Sequence, residues 1–362
     1  MRFLARTVFA LCTVILAGVA SAADTASPDV TVSSVRRAFH NGEHNAFTDL
    51  CRFRGQLYLT FRSCPDGHMA HSTGSVIIMR SADEGKTWQQ VNRFSVKNRD
   101  TRDPHFLEFK GRLFVYSGTW YCGPTPTSVV DYDMNKLLGF GVSTADGTNW
   151  SEPVMLEGTF GYYIWRAASY GGKAYLCGRR KIGFEIEGRK EGEQVQSGLL
   201  ESDDGLNWKW SVNLQSTAGD ETAFLFEKDG SLLAIARDGI RRNAHLLRGQ
   251  PPYTQLKQSE LDRLVGGPLV VRWNDRTIVA GRKITSPNRE TGPKTSLCWL
   301  VGDTLQEFAV LPSAGDNSYP GFVALSPTKA LVSYYSSHER DAAGKPITAI
   351  YLAELTLAAP AK

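Results

Sequence analysis

ETAFLFEKDGSLLAIAR, residues 221–237, reads as two short strands joined by a tight turn at Asp229 and Gly230. Apolar side chains alternate on the first strand at Ala223 and Leu225, and residues 232–236 are all apolar, as a buried strand would be. An antiparallel hairpin brings its two ends back to one rim. The pattern therefore predicts that Glu221 and Arg237 lie side by side.

The same unit recurs five more times, as LCRFRGQLYLTFR, HFLEFKGRLFVYSG, AASYGGKAYLCGR, LVVRWNDRTIVAGR and FVALSPTKALVSYY. The six turns fall at Gly55, Gly111, Gly172, Gly230, Asp275 and Thr328. Their spacing, 45–61 residues, suits a four-stranded propeller blade with its loops, about 40–50 residues or a little more. Helical periodicity is absent between the hairpins. The expected fold is all-β, a six-bladed β-propeller occupying residues 30–357. Residues 30–39, VTVSSVRRAF, form a strand ahead of the first blade. That strand could close the ring by joining the last blade, whose outer strand is read at residues 347–355, removing two exposed edges.

Between the hairpins lies a second repeat. Residues 81–88, SADEGKTW, form a complete S-x-D-x-G-x-T-W turn, and residues 143–150 (STADGTNW) and 201–208 (ESDDGLNW) are degraded copies. In such a turn Asp and Ser cap backbone amides, Gly takes a positive φ, and Trp packs between blades. The acids are spent on their own turns, so these loops are read as structural rather than metal-binding.

Residues 1–22 have the layout of a secretory signal: Arg2 and Arg6, an apolar run over residues 8–20, and a small-residue Ala20-Ser21-Ala22 cleavage site. Export to the periplasm or beyond the cell is expected, and no later run is long and apolar enough to span a bilayer. The formal net charge of the whole chain is +4, and losing Arg2 and Arg6 brings it closer to neutral. That balance argues against nucleic acid or a membrane surface as partner. The expected assembly is a monomer. Five cysteines follow the signal (Cys51, Cys64, Cys122, Cys177, Cys298) without zinc spacing, so no metal and no cofactor is expected. Cys51 and Cys64 flank one hairpin and either pair across it or remain buried thiols.

In each blade the start of the first strand and the end of the second share a face, away from the S-x-D turns. Seven residues past each hairpin turn stand Arg62, Gly118, Arg179, Arg237, Arg282 and Tyr335. The first strands bring Asp49, Asp103, Arg166, Glu221 and Tyr319 to that face. Several guanidinium groups at one channel mouth repel one another unless an anion sits among them. Planar guanidinium forks fit a carboxylate best, so the pattern predicts a carboxylate-bearing ligand.

These residues resemble the sialidase (neuraminidase) family, and within it the secreted bacterial proteins with Asp-box repeats. The resemblance rests on the turn at Ser81, on GDETAFLFEKDGSLLAIARDG and on SPNRETG followed by GDNSYPGFVALSPTKALVSYYSS, and covers nearly all of the chain after the signal. It implies that Tyr319 is a nucleophile, that Glu221 takes its proton, and that Arg237 with Arg282 or Arg289 grips a sugar carboxylate. A tyrosine nucleophile is unusual among glycosidases; a neutral phenol avoids repulsion from a carboxylate on the anomeric carbon. The family's first-blade Arg has no counterpart in residues 44–49 (HNAFTD), where Arg62 or Arg166 could reach the same space. Asp49 or His68 is the expected proton donor to the leaving group, and Asp103 a further substrate contact. The function implied is an exo-acting, retaining glycoside hydrolase on sialylated or other acidic glycans. The alternatives are a propeller lyase or glycosidase acting on uronic-acid polysaccharide, and a non-catalytic glycan-binding propeller.

Overall fold

A computed structural model describes residues 29–124, 132–183, 194–240 and 242–358; the signal-like stretch lies outside them. The described residues form six four-stranded antiparallel sheets, five of them consecutive in sequence. The sixth takes three strands from the C-terminal end and its outermost strand, Val30–Phe39, from the N-terminal end. That strand pairs with Pro346–Leu357, Val30 opposite Leu357 and Phe39 opposite Ile350, which closes the ring as the sequence suggested. The first strands of the blades, His44–Phe53, Arg99–Phe109, Tyr163–Tyr170, Gly219–Phe226, Gly266–Trp273 and Asn317–Ser326, touch in succession around the axis. The protein is thus a six-bladed β-propeller. No described helix is long and apolar enough to cross a membrane.

Blade-to-blade packing follows from the turn chemistry. Asp83 accepts hydrogen bonds from Ser81 Oγ at 2.7 Å and from the Thr87 amide at 2.9 Å. In the shortened copies Thr144 and Ser202 play the part of Ser81, each donating to the turn aspartate, Asp146 or Asp204. The glycine carbonyls these turns expose are capped by the preceding blade: Tyr58 donates to Gly147 and Tyr116 to Gly205. Trp150 packs edge-on against Tyr58 and Trp208 against Tyr116. The five described cysteines are all free and mostly buried. Cys51 and Cys64 therefore make no bridge and act as small apolar side chains.

One local feature is repeated in every blade and determines what reaches the channel mouth. Near the start of each first strand, two residues oppose one on the neighbouring strand. The bulged pairs are Phe47-Thr48, Asp103-Pro104, Trp165-Arg166, Asp220-Glu221, Gly267-Pro268 and Tyr319-Pro320. A bulge bends the strand and re-aims a side chain, and proline in an inner strand is tolerated there because the ladder is already broken. Phe47, Asp103 and Tyr319 adopt φ of 62°, 49° and 50°, a left-handed conformation that non-glycine residues rarely adopt without cause. At Gly267 (φ 58°) an added Cβ would lie 2.5 Å from the Tyr319 ring, so glycine is needed for the aromatic to fit.

Candidate active site

The bulges of the fourth and sixth blades meet across the channel. Tyr319 donates its phenol proton to Glu221 Oε1 at 2.6 Å. Arg237, opposite the fourth-blade bulge, donates to Glu221 Oε2 at 2.7 Å, and the Gly267 amide reaches the same oxygen at 3.3 Å. Arg237 Nε lies 3.2 Å from Asp220, which also pairs with Arg179. The Arg282 guanidinium carbon stands 5.7 Å from the Tyr319 ring centre. Arg282 also donates to the Asn317 carbonyl and to the Tyr335 hydroxyl at 3.0 Å. Glu221, Arg237, Arg282 and Tyr319 therefore share one mouth. Arg289 sits in an exposed turn after the fifth-blade hairpin, leaving Arg282 as the fifth-blade cation beside the phenol.

Electrostatics sharpen the roles. Burial alone would raise the Glu221 carboxyl, but Arg237 and Arg179 outweigh it and hold the group down at about 2, ionised. Burial, followed by the Glu221 charge, pushes the Tyr319 phenol well above its ordinary value. A neutral phenol thus faces a carboxylate able to take its proton when the oxygen forms a bond. Asp103 accepts a hydrogen bond from Tyr163, while its Oδ1 is buried without a partner. Burial and the nearby Glu221 raise it to about 6. An unfilled acceptor at a channel mouth can receive a hydroxyl or amide of a bound ligand.

The remaining arginines and Asp49 are engaged inside the protein. Arg166 spans the channel, donating Nε to the Pro268 carbonyl and Nη2 to the Pro320 carbonyl, both at 2.7 Å. Its Nη1 lies 3.3 Å from Asp49. Asp49 also accepts from the Phe106 amide at 2.9 Å and neighbours His105 at 3.4 Å. Although burial opposes ionisation, these partners keep its carboxyl below the ordinary value. Arg62 is fully buried, paired with Asp100 at 2.7 Å, and donates to the Gly67 and Met69 carbonyls. Arg102 bonds the same Asp100 and the His68 carbonyl. Instead of lining the mouth, this buried pair of arginines pins the loop that carries His68.

A cluster not foreseen from the sequence adjoins Arg282. His44 Nε2 and His68 Nδ1 both lie against Asp316 Oδ2, at 2.9 and 2.7 Å. Tyr335 donates to Asp316 Oδ1 at 2.8 Å. Burial works against the Asp316 charge, yet its histidine hydrogen bonds hold it well below the ordinary carboxylate value. Burial lowers His44, whose Nδ1 has no partner. The side chain of His68 is 49% exposed. His44 and Asp316 are 272 positions apart, so no local spacing in the sequence announces the group.

A hollow of about 1240 Å³ opens on the opposite, inner-turn face between the fourth and fifth blades. Its Arg248 and Arg272 are already paired with Asp303 and Glu227. The mouth at Tyr319 has the convergent chemistry that this hollow lacks.

By sequence the chain matches no protein-family profile and no curated protein. By structure it resembles a Dyadobacter fermentans DSM 18053 protein of unknown function (TM-score 0.72, 19% identity), covering 91% of this chain and 100% of that one. It also resembles the Hadza microbial sialidase Hz136 (TM-score 0.65, 14% identity, 87% and 66% covered). The Trypanosoma rangeli sialidase in complex with sialic acid is a further match (TM-score 0.63, 11% identity, 90% and 57% covered). The chain thus spans about two thirds or less of the length of these two sialidases. At such identities the likeness establishes a sialidase-like propeller fold.

Proposed function

We propose that this chain is an exported, exo-acting retaining glycoside hydrolase that removes a terminal acidic sugar, with sialic acid the best fit. The observation carrying this reading is the 2.6 Å hydrogen bond from the Tyr319 phenol to ionised Glu221, with Arg237 on the carboxylate's other oxygen. Tyr319 attacks the anomeric carbon as its proton passes to Glu221, and a covalent glycosyl-tyrosine forms. Water then releases the sugar, and the proton returns to the phenolate. Arg237 and Arg282 hold the sugar carboxylate, and the unpartnered Oδ1 of Asp103 accepts from a ring substituent that reaches it. Of the two groups expected to protonate the leaving oxygen, Asp49 is walled in by Arg166, His105 and Phe106, which leaves the His68 side of the mouth for that step. The sialidases of similar fold, one of them in complex with sialic acid, support the substrate class.

The test is turnover of a fluorogenic aryl sialoside by the purified protein. Hydrolysis that Tyr319→Phe removes, in a variant with unchanged circular dichroism and Tm, supports the reading. A wild-type protein that yields unsaturated uronate from an anionic polysaccharide, or that binds sialosides without turnover, contradicts it.

A further inference from the structure

We propose that His44, His68 and Asp316 form a binding site for a divalent transition-metal cation at the edge of the mouth. The three donor atoms, His44 Nε2, His68 Nδ1 and an Asp316 oxygen, lie within 4.8 Å of one another. They come from a strand start, a loop and the approach to the last blade, so only the closed ring assembles them. Two imidazoles and one carboxylate suit zinc and its neighbours, with ligand bonds of about 2.0–2.2 Å. Tetrahedral bonds of that length set donor atoms about 3.3 Å apart. The observed 2.7 and 2.9 Å contacts to Asp316 therefore need to open by about 0.4–0.6 Å, while the two imidazole nitrogens, within 4.8 Å of each other, settle at the same spacing.

The surroundings are built to hold these donors in place. Asp316 Oδ1 is taken by Tyr335 at 2.8 Å, with Arg282 at 3.4 Å, which turns Oδ2 toward both rings. Partners behind a ligand that fix its direction are typical of metal sites. Here the support falls on the carboxylate and on the His68 loop rather than on the His44 ring. Arg62 and Arg102 bind three successive carbonyls of that loop, those of Gly67, His68 and Met69. Without an ion, two N–H groups must crowd one carboxylate oxygen; a cation replaces both protons at once.

Three protein ligands leave a coordination position open, and half-exposed His68 places it toward solvent. The ion would stand beside Arg282 and add positive charge on the side where the first blade supplies no arginine. An anionic group could then be shared between the guanidinium and the metal, and a metal-bound water would lie on the side assigned to the leaving group. Those two roles rest on the glycosidase reading, whereas ion binding does not.

The experiment is a Co²⁺ titration of the EDTA-treated, dialysed full chain, followed by its visible d–d absorption and by metal content after gel filtration. One ion per chain is expected, displaced by Zn²⁺ as the affinity order requires. Asp316→Asn and His68→Ala, checked by circular dichroism, should each weaken binding by about 100-fold, the upper end of what even outer-shell losses cause. Absence of saturable binding in the millimolar range, or binding unchanged in both variants, overturns the proposal. Turnover is not read at any point, so a failed sialidase assay and a failed metal site remain separate results.

Discussion

Tyr319 and Glu221 stand 98 positions apart in the chain, yet the phenol oxygen lies 2.6 Å from the carboxylate. Two equivalent bulges, in the fourth and sixth blades, create that contact. Each aims its residue out of the strand ladder toward the axis. Replacing Glu221 with Gln keeps the shape and a hydrogen-bond acceptor but removes the proton-accepting charge. A loss of about 10²–10⁴-fold in kcat is expected on an aryl sialoside. Steady-state kinetics check this, and an unchanged kcat would remove Glu221 from the mechanism.

Arg282 neighbours both the Tyr319 ring and the Asp316 cluster. If it grips a substrate carboxylate, Arg282→Ala loses about 1.5–3 kcal/mol of charged hydrogen bonding. That corresponds to a rise of roughly 10–100-fold in KM, read from full saturation curves. A fall in kcat at constant KM would place its role in the transition state alone.

Asp103 gives a pH signature. Burial and the Glu221 charge raise it to about 6 in the folded protein, against an ordinary 3.8 when unfolded. The folded form therefore holds this proton more tightly, and stability falls as pH rises through roughly 4 to 6. About 3 kcal/mol is involved at most, from about 1.4 kcal/mol per unit of pKa. Asn at 103 can still accept from Tyr163, so Asp103→Asn should be more stable than wild type at pH 7, with the gap closing near pH 4. Denaturant unfolding at the two pH values measures it. A gap independent of pH contradicts the assignment.

The Arg62–Asp100–Arg102 group is buried, with the Arg62 and Asp100 side chains fully enclosed. Asp100→Asn strands two guanidinium charges and should cost about 3–5 kcal/mol, seen as a lowered Tm. The His68 loop should also become more sensitive to limited proteolysis, since its carbonyls are bound by those arginines. An unaltered Tm would show that the arginines find other partners.

Much of the fold was legible because each hairpin turn is marked by Gly, Asp or Thr between apolar runs, and because Val30–Phe39 has a matching edge to join. The equivalent positions of Arg62, Arg179, Arg237 and Arg282 at the ends of their hairpins were legible too, although only Arg237 lies directly opposite a bulge and Arg62 does not line the mouth. The destinations of the guanidinium groups were not. Arg62 turns to Asp100 on the next blade and Arg166 to the carbonyls of two others, contacts set by ring closure rather than by sequence neighbours. The bulges did leave a trace: Pro104, Pro268 and Pro320 interrupt inner strands at equivalent places, where only a broken ladder accommodates proline. His44 and Asp316 left none, because their pairing exists only in the closed ring.

The most direct measurement is covalent trapping with a 2,3-difluorosialic acid, read by intact-protein mass and peptide mapping. The proposed mechanism predicts one sugar adduct per chain, carried on Tyr319 and absent from Tyr319→Phe. An adduct on another residue, or none from a preparation that hydrolyses sialosides, would contradict it.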